Sequence, residues 1–155
     1  LLTGEDMALI SEAGLPAVAD PGANLVDLAH RHDVDVIPFV GPSSLMMALM
    51  SSGMNGQSFA FNGYLPVKPH ERKAKIKELE KRSRNGKQSQ IFIETPYRND
   101  AMLADILEVC EASTRVCIAA DITLPSAYIK TRRVQDWKQN RVTIGKRPCV
   151  FILMA

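Results

Sequence analysis

The sequence predicts an α/β fold, and three observations carry that prediction. An apolar run at residues 7–10 ends in a Gly/Pro-rich loop and is followed by a helical pattern. A second apolar run, residues 34–40, ends in Gly41-Pro42-Ser43-Ser44, which opens another helix. Beyond residue 55 the alternation of strand-like and helix-like segments restarts with its own rhythm. Two strands that each end in a glycine-bearing loop are the basic unit of a parallel sheet, and ligands of such sheets sit outside the strands' carboxyl ends. The spacing therefore predicts two α/β units, residues 1–55 and 56–155, with the boundary at 55–57.

Each element has its own signal. Two prolines and two glycines within residues 12–22 break any regular structure. A helix is expected over 23–32, with Leu25, Val26, Leu28 and Ala29 on its apolar side. Residues 34–40 are rich in β-branched side chains and read as a buried strand. Ser43 is a natural N-cap for a helix over 44–52. That helix is apolar on every side, as a helix surrounded by protein would be. Residues 58–64 read as a strand and 70–83 as a basic helix with a thin apolar stripe, Ile76 and Leu79. A strand over 90–94 follows. The next helix has the stripe Met102, Leu103, Ile106, Leu107 and Cys110, and residues 115–120 form another apolar strand. The remainder is a strand over 127–134, a short polar helix over 136–140 and a last strand over 149–154.

Composition bounds the function. Of the 155 residues, 46% are apolar and 23% charged, the balance of a globular domain with a buried core. No run of 18 apolar residues and no basic-then-apolar leader is present, so neither a membrane span nor a signal peptide is read. The absence of an initiator Met suggests a chain that starts inside a larger protein. The three cysteines, Cys110, Cys117 and Cys149, lack CxxC spacing and fit reduced core residues of a cytoplasmic protein. His30 and His32 stand two apart and cannot share a helix face, so no metal site is expected. Net charge is only +2, yet residues 68–87 hold nine basic and three acidic residues. Arg72, Lys73, Lys75 and Lys77 are candidate phosphate contacts; a solvated helix face has the same pattern.

No P-loop, dinucleotide fingerprint or nucleophile elbow occurs. Ser43 and Ser44 have no neighbouring His in sequence and fit a cap and a packing serine. The loop carboxylates Glu12, Asp20, Glu94 and Asp121 flank strand ends, where each can orient a ligand or cap a helix.

Four short motifs add a family resemblance. Residues 11–22, SEAGLPAVADPG, resemble the S-D-A-G-T-P-x-I-S-D-P-G signature of the tetrapyrrole methylase superfamily. PFVGPSS at 38–44 is similar to the family's P-x-P-G-P-[CS]-[AS] loop. FNGYLP at 61–66 is similar to F-x-G-F-L-P, and IETPYR at 93–98 to Y-E-S-P-H-R. Their order and spacing resemble the branch that methylates ribosomal RNA of the small subunit. The resemblance implies a tetrapyrrole-methylase-like fold of two α/β domains with a cofactor cleft between them, the first domain incomplete here. It implies an S-adenosylmethionine-dependent methyltransferase, usually a homodimer, whose acceptor in that branch is an rRNA ribose 2′-hydroxyl. Ala13, Gly14, Leu15, Ser43 and Ser44 would line the cofactor from one side. Glu94, Thr95, Ala120, Asp121, Pro148 and Cys149 would close over its adenosine part. Glu94 and Asp121 are the candidate bases. Leu15 and Glu12 stand where the family has Thr and Asp. After residue 120 the branch usually shows R-E-L-T-K, whereas this chain reads Asp121-Ile122-Thr123-Leu124-Pro125. A tetrapyrrole or other small acceptor, and a non-catalytic dimerisation or binding module, are the alternatives.

Overall fold

The structure is a computed structural model that describes residues 4–155. It divides into two compact units, one ending at Ser44 and the other spanning Leu45–Ala155.

The first unit is built around α1, Ala23–Arg31. Gly22, at φ 135°, precedes it and accepts the N–H groups of Leu25 and Val26. A side chain there would collide with Leu9, whose Cδ2 lies 2.5 Å from the position a Cβ would take. The two strands expected over 7–10 and 34–40 are not formed among the described residues. A strand's backbone groups are satisfied only by a neighbouring strand, and neither run has one. Their apolar side chains stay outside as well: Ile10 is 85% exposed, Ile37 73% and Phe39 88%.

The second unit is a five-stranded mixed sheet of order β1-β2-β5-β3-β4. The strands are β1 Phe59–Tyr64, β2 Ser89–Ile93, β3 Arg115–Ala120, β4 Tyr128–Arg133 and β5 Cys149–Met154. Only β1 and β2 pair in parallel; β5 runs antiparallel to both β2 and β3, and β4 antiparallel to β3. The last strand of the chain is thus the central one.

Side-chain alternation divides the core in two. Phe92, Val116, Ile118, Phe151 and Leu153 face α3 (Pro69–Gly86), α4 (Asn99–Val109) and α5 (Val134–Gln139). Phe92 and Phe151 stack there with ring centroids 5.7 Å apart. Trp137 of α5 is fully buried, and its indole N–H donates to the Val116 carbonyl at 2.9 Å. Ile91, Cys117, Ala119, Val150 and Ile152 point to the other face, against Leu45, Ala48 and Leu49 of α2 (Ser44–Ser52). Thr131 donates to the Ser52 carbonyl at 2.7 Å and helps seat that helix. The helix is not enclosed on every side, because Met50 is 83% exposed.

α3 runs three residues past its expected end. Lys87 takes a left-handed conformation (φ 48°) and donates to the Ser83 carbonyl, so the stop falls on Lys87 rather than on Asn85-Gly86. Where β1 meets β2, the register slips between Phe61 and Tyr64. Asn62 and Gly63 form this bulge. Gly63 supplies φ +63°, and the Asn62 amide donates to the Ile91 carbonyl at 3.3 Å. The bulge resets the side-chain alternation and leaves Tyr64 57% exposed at the end of the strand.

Candidate functional site

In the first unit, two of the predicted loops meet. The Leu15 Cδ2 lies 3.2 Å from where a Cβ at Gly41 would stand, so loop 13–15 packs beside the loop that leads to Ser43 and Ser44. Ala13 and Gly14 are exposed and Leu15 is half-buried. Gly14 takes φ +80°, and Ala17 and Ala19 are also left-handed. The Ser11 hydroxyl donates to the Ala13 carbonyl at 3.0 Å, and the Val18 N–H to Leu15 at 3.2 Å. The segment is a series of tight turns that presents backbone, the surface a flat or charged ligand can approach closely.

In the second unit, sheet topology gathers the other candidates. Ile93 pairs with Val150, and Ala120 pairs with both Cys149 and Tyr128. The carboxyl ends of β2 and β3 and the amino ends of β4 and β5 therefore share one rim. Glu94-Thr95, Ala120-Asp121 and Pro148-Cys149 all lie on it, and Tyr64 joins them through its pairing with Ile93.

Glu94 is the most constrained residue of this rim. Its side chain is fully buried; Oε1 accepts from the Thr95 N–H at 2.6 Å and from the Arg98 guanidinium at 2.7 Å. The hydrogen bond to Glu94 holds the Arg98 pKa above its ordinary value. Glu94 Oε2, Arg98 Nε and Asn99 Oδ1 are buried without a hydrogen-bond partner. Unsatisfied buried polar atoms are rare and point to function or to a missing partner; three within six residues mark this turn.

Asp121 sits in the left-handed region (φ 52°), as does Thr123 (φ 77°). The Asp121 N–H donates to the Pro148 carbonyl at 3.0 Å, tying the β3 end to the start of β5. Its Oδ2 accepts from the Ser126 hydroxyl at 3.0 Å and faces Arg147 at 3.7 Å. Cys149 is buried, and desolvation pushes its thiol up to about 12, so it stays protonated and contributes bulk rather than nucleophilicity.

Several residues of the rim have no signal of their own in the sequence. The Asn99 amide donates to the Gly145 and Arg147 carbonyls at 3.0 and 2.7 Å. Asp100 accepts the Ile144 and Gly145 N–H groups at 2.7 and 3.2 Å. Together they lock loop 144–147 to the start of α4. A groove of about 710 Å³ lined by Ala104, Leu107, Lys138, Arg141 and Val142 lies along α4 and α5, and none of the predicted cofactor residues line it.

The basic helix presents less free charge than its sequence implies. Arg72 is 4% exposed; its Nε and Nη2 both lie 2.6 Å from Asp105 Oδ2, and Nη1 donates to the Val67 carbonyl at 2.9 Å. Lys73 pairs with Glu108 at 2.7 Å, Lys75 with Glu78 at 2.8 Å, and Arg84 with Glu111 at 2.8 Å. The Glu108 hydrogen bond raises the Lys73 pKa, and Lys75 lowers that of Glu78. Lys77 is exposed.

No family model matches the chain. Individual proteins do. A Vibrio cholerae protein named ribosomal RNA small subunit methyltransferase I is 40% identical over 123 residues, covering 79% of this chain and 41% of that protein. Proteins of the same name from Pseudomonas aeruginosa and Buchnera aphidicola are 31% and 32% identical, covering 97% and 99% of this chain and 53% and 54% of theirs. The chain is a partial counterpart of these methyltransferases. It spans about half the length of the curated relatives it matches. Among solved structures, the methyltransferase CobJ superposes with a TM-score of 0.58 at 19% identity, over 91% of this chain and 61% of that one. Uroporphyrin-III C-methyl transferase from Thermus thermophilus, complexed with S-adenyl homocysteine, gives 0.50 at 17%, over 91% and 62%. The fold is that of the tetrapyrrole methylases.

Proposed function

We propose that this chain is part of an S-adenosylmethionine-dependent methyltransferase that acts on a ribose 2′-hydroxyl of small-subunit ribosomal RNA. The observation that carries the reading is the similarity, over 79–99% of the chain, to proteins named for that class of enzyme. In the two-domain, homodimeric arrangement that the family resemblance implies, residues 1–55 close the first domain and 56–155 form the second.

The residues suit the cofactor in two respects. The backbone-rich turns at Ala13, Gly14 and Leu15, beside Ser43 and Ser44, offer amide and hydroxyl groups at an exposed surface. The rim at Glu94, Thr95, Ala120, Asp121, Pro148 and Cys149 offers carbonyls, and at Glu94 a buried acceptor without a protein partner. When bound, the cofactor supplies an electrophilic methyl on a sulfonium centre. The protein's task is alignment and the exclusion of water. Glu94 is committed to Arg98 and the Thr95 N–H, so its role is to orient. Asp121 keeps Oδ1 outside its contacts with Ser126 and Arg147, and we assign it the acceptor proton.

The test is transfer of labelled methyl from the cofactor to small-subunit rRNA from a strain that lacks the enzyme, using the full-length protein. Incorporation at a ribose supports the reading; no incorporation with S-adenosylhomocysteine binding intact refutes the rRNA acceptor. A small-molecule acceptor is the second reading, favoured by the absence of R-E-L-T-K charges after Ala120. It predicts substrate binding insensitive to salt.

A further inference from the structure

We propose that the rim of the second unit carries a docking surface for an unpaired nucleotide of the RNA acceptor, with Tyr97 as the stacking platform and Lys146 as the phosphate contact. This rests on the rRNA reading above.

Tyr97 is 78% exposed, although it sits in a turn tied down by a backbone hydrogen bond and an ion pair. Pro96 opens the 3-10 turn Pro96–Arg98; the Arg98 N–H closes it onto the Thr95 carbonyl at 2.9 Å, and the Arg98 guanidinium anchors it to buried Glu94. An aromatic ring presented to water from a rigid turn does nothing for the core. It does offer a flat π-face whose ordering cost is already met, which is what base stacking exploits.

The Lys146 ammonium lies 4.9 Å from the centroid of that ring. Lys146 is exposed, and among the described residues no carboxylate stands within ion-pair distance of it. Its loop is fixed by the Asn99 and Asp100 hydrogen bonds at Gly145, Ile144 and Arg147. The cation therefore stands over one face of the ring, each held by its own restraints, and the opposite face is the one offered to a base. Tyr64, 57% exposed, stands on the same rim. By contrast, most cations of α3 are paired with carboxylates on α3 itself, on α4 or just beyond it, and Arg72 is buried. A paired cation releases fewer counterions from a nucleic acid, so α3 is the poorer phosphate surface despite its composition. Exposed aromatic faces interleaved with unpaired positive charge fit a single strand rather than a duplex, whose bases are already stacked.

The experiment uses the full-length protein and a short fluorescent single-stranded oligoribonucleotide, read by anisotropy. Tyr97→Ala should weaken binding by roughly 5- to 150-fold, and Tyr97→Phe should retain it, because the ring is what stacks. Lys146→Ala should lower the slope of log K against log salt by about 0.7, one phosphate contact on a single strand. S-adenosylhomocysteine binding by calorimetry should be unchanged in all three. Wild-type affinity in both Tyr97→Ala and Lys146→Ala overturns the proposal, as does an equal loss of S-adenosylhomocysteine binding, which would make Tyr97 structural. Methyl transfer to rRNA by the unaltered protein reports on the acceptor reading alone. An active enzyme with an indifferent Tyr97→Ala variant sinks only the docking surface; a protein that binds S-adenosylhomocysteine but neither binds nor methylates RNA sinks both.

Discussion

Removing the carboxylate of Asp105 separates a structural role for Arg72 from a nucleic-acid role. In the folded chain the Arg72 side chain is 5% exposed and that of Asp105 10%, and two guanidinium nitrogens contact one carboxylate oxygen at 2.6 Å. Asp105→Ala leaves a buried guanidinium whose remaining partner is the Val67 carbonyl. Breaking a buried pair in this one-sided way costs about 3–5 kcal/mol, because the surviving charge is desolvated and uncompensated. The further contact of Asp105 with Lys73, at 3.7 Å, adds little, since Lys73 is screened by water and keeps Glu108. For a chain of this size the loss corresponds to a fall in Tm of about 10 °C. Urea unfolding followed by circular dichroism measures it, with the slope against denaturant held constant as a check on two-state behaviour. The double variant Arg72→Met with Asp105→Leu removes both charges and should return to within about 1 kcal/mol of the starting stability. In the full-length protein it should leave the salt dependence of RNA binding unaltered. A single-variant loss below about 1 kcal/mol, or a double variant no better than the single, would refute the reasoning.

Further expectations concern the core and the rim. Trp137→Phe should cost about 1–3 kcal/mol, since the buried Val116 carbonyl loses its indole donor; the emission of the sole tryptophan should lie to the blue in the native chain and shift red on unfolding. Gly63→Ala forces a Cβ into the left-handed region at the β1 bulge and should cost about 1–2 kcal/mol, read by thermal unfolding. The three cysteines are buried, with Cys149 pushed up to about 12 and Cys117 also raised by burial. Native protein at pH 8 should therefore leave all three unmodified by iodoacetamide while urea-unfolded protein reacts fully. Because the folded thiol pKa lies above the unfolded value of about 8.5, the burial of neutral Cys149 favours the native state below that pH; this contribution declines as pH rises towards 12, which alkaline thermal unfolding tests. Glu94→Gln keeps the shape of the side chain and removes its charge from Arg98. In the full-length protein it should weaken S-adenosylhomocysteine binding by about tenfold, measured by calorimetry.

Most of the second unit was legible in the sequence, because β3 and β5 are continuous apolar runs and α3 and α4 carry stripes at helical spacing. Residues 115–120 and 149–154 match β3 and β5 without adjustment. The order of strands was not legible: nothing local in CVFILM says that it inserts between β2 and β3. The two strands of the first unit were misread for a related reason. A run such as Val34 to Val40 reports only that β-branched residues are present, whereas a strand exists through the backbone that pairs with it. The pairing of the basic helix was not legible, because its counter-charges Asp105, Glu108 and Glu111 lie some thirty residues away in sequence, beyond any window read along α3. The place of Glu94 just past a strand end was legible from the apolar run before it. The locking of loop 144–147 by Asn99 and Asp100 was not, since a side-chain amide aimed at distant carbonyls has no periodicity.

The central place of β5 has a consequence for how the unit is made. During synthesis β2 and β3 are complete long before Cys149–Met154 leaves the ribosome, and each then exposes a strand edge of apolar residues that only β5 can pair. Ser89 must wait for Met154, across 65 residues, so the sheet closes late and through distant contacts, the regime in which folding is slow. Until then the α3–α4 layer is the part able to form from local contacts. A ribosome stalled just short of Cys149 would hold a nascent chain with two open edges, and that chain is the species a chaperone or a protease would meet.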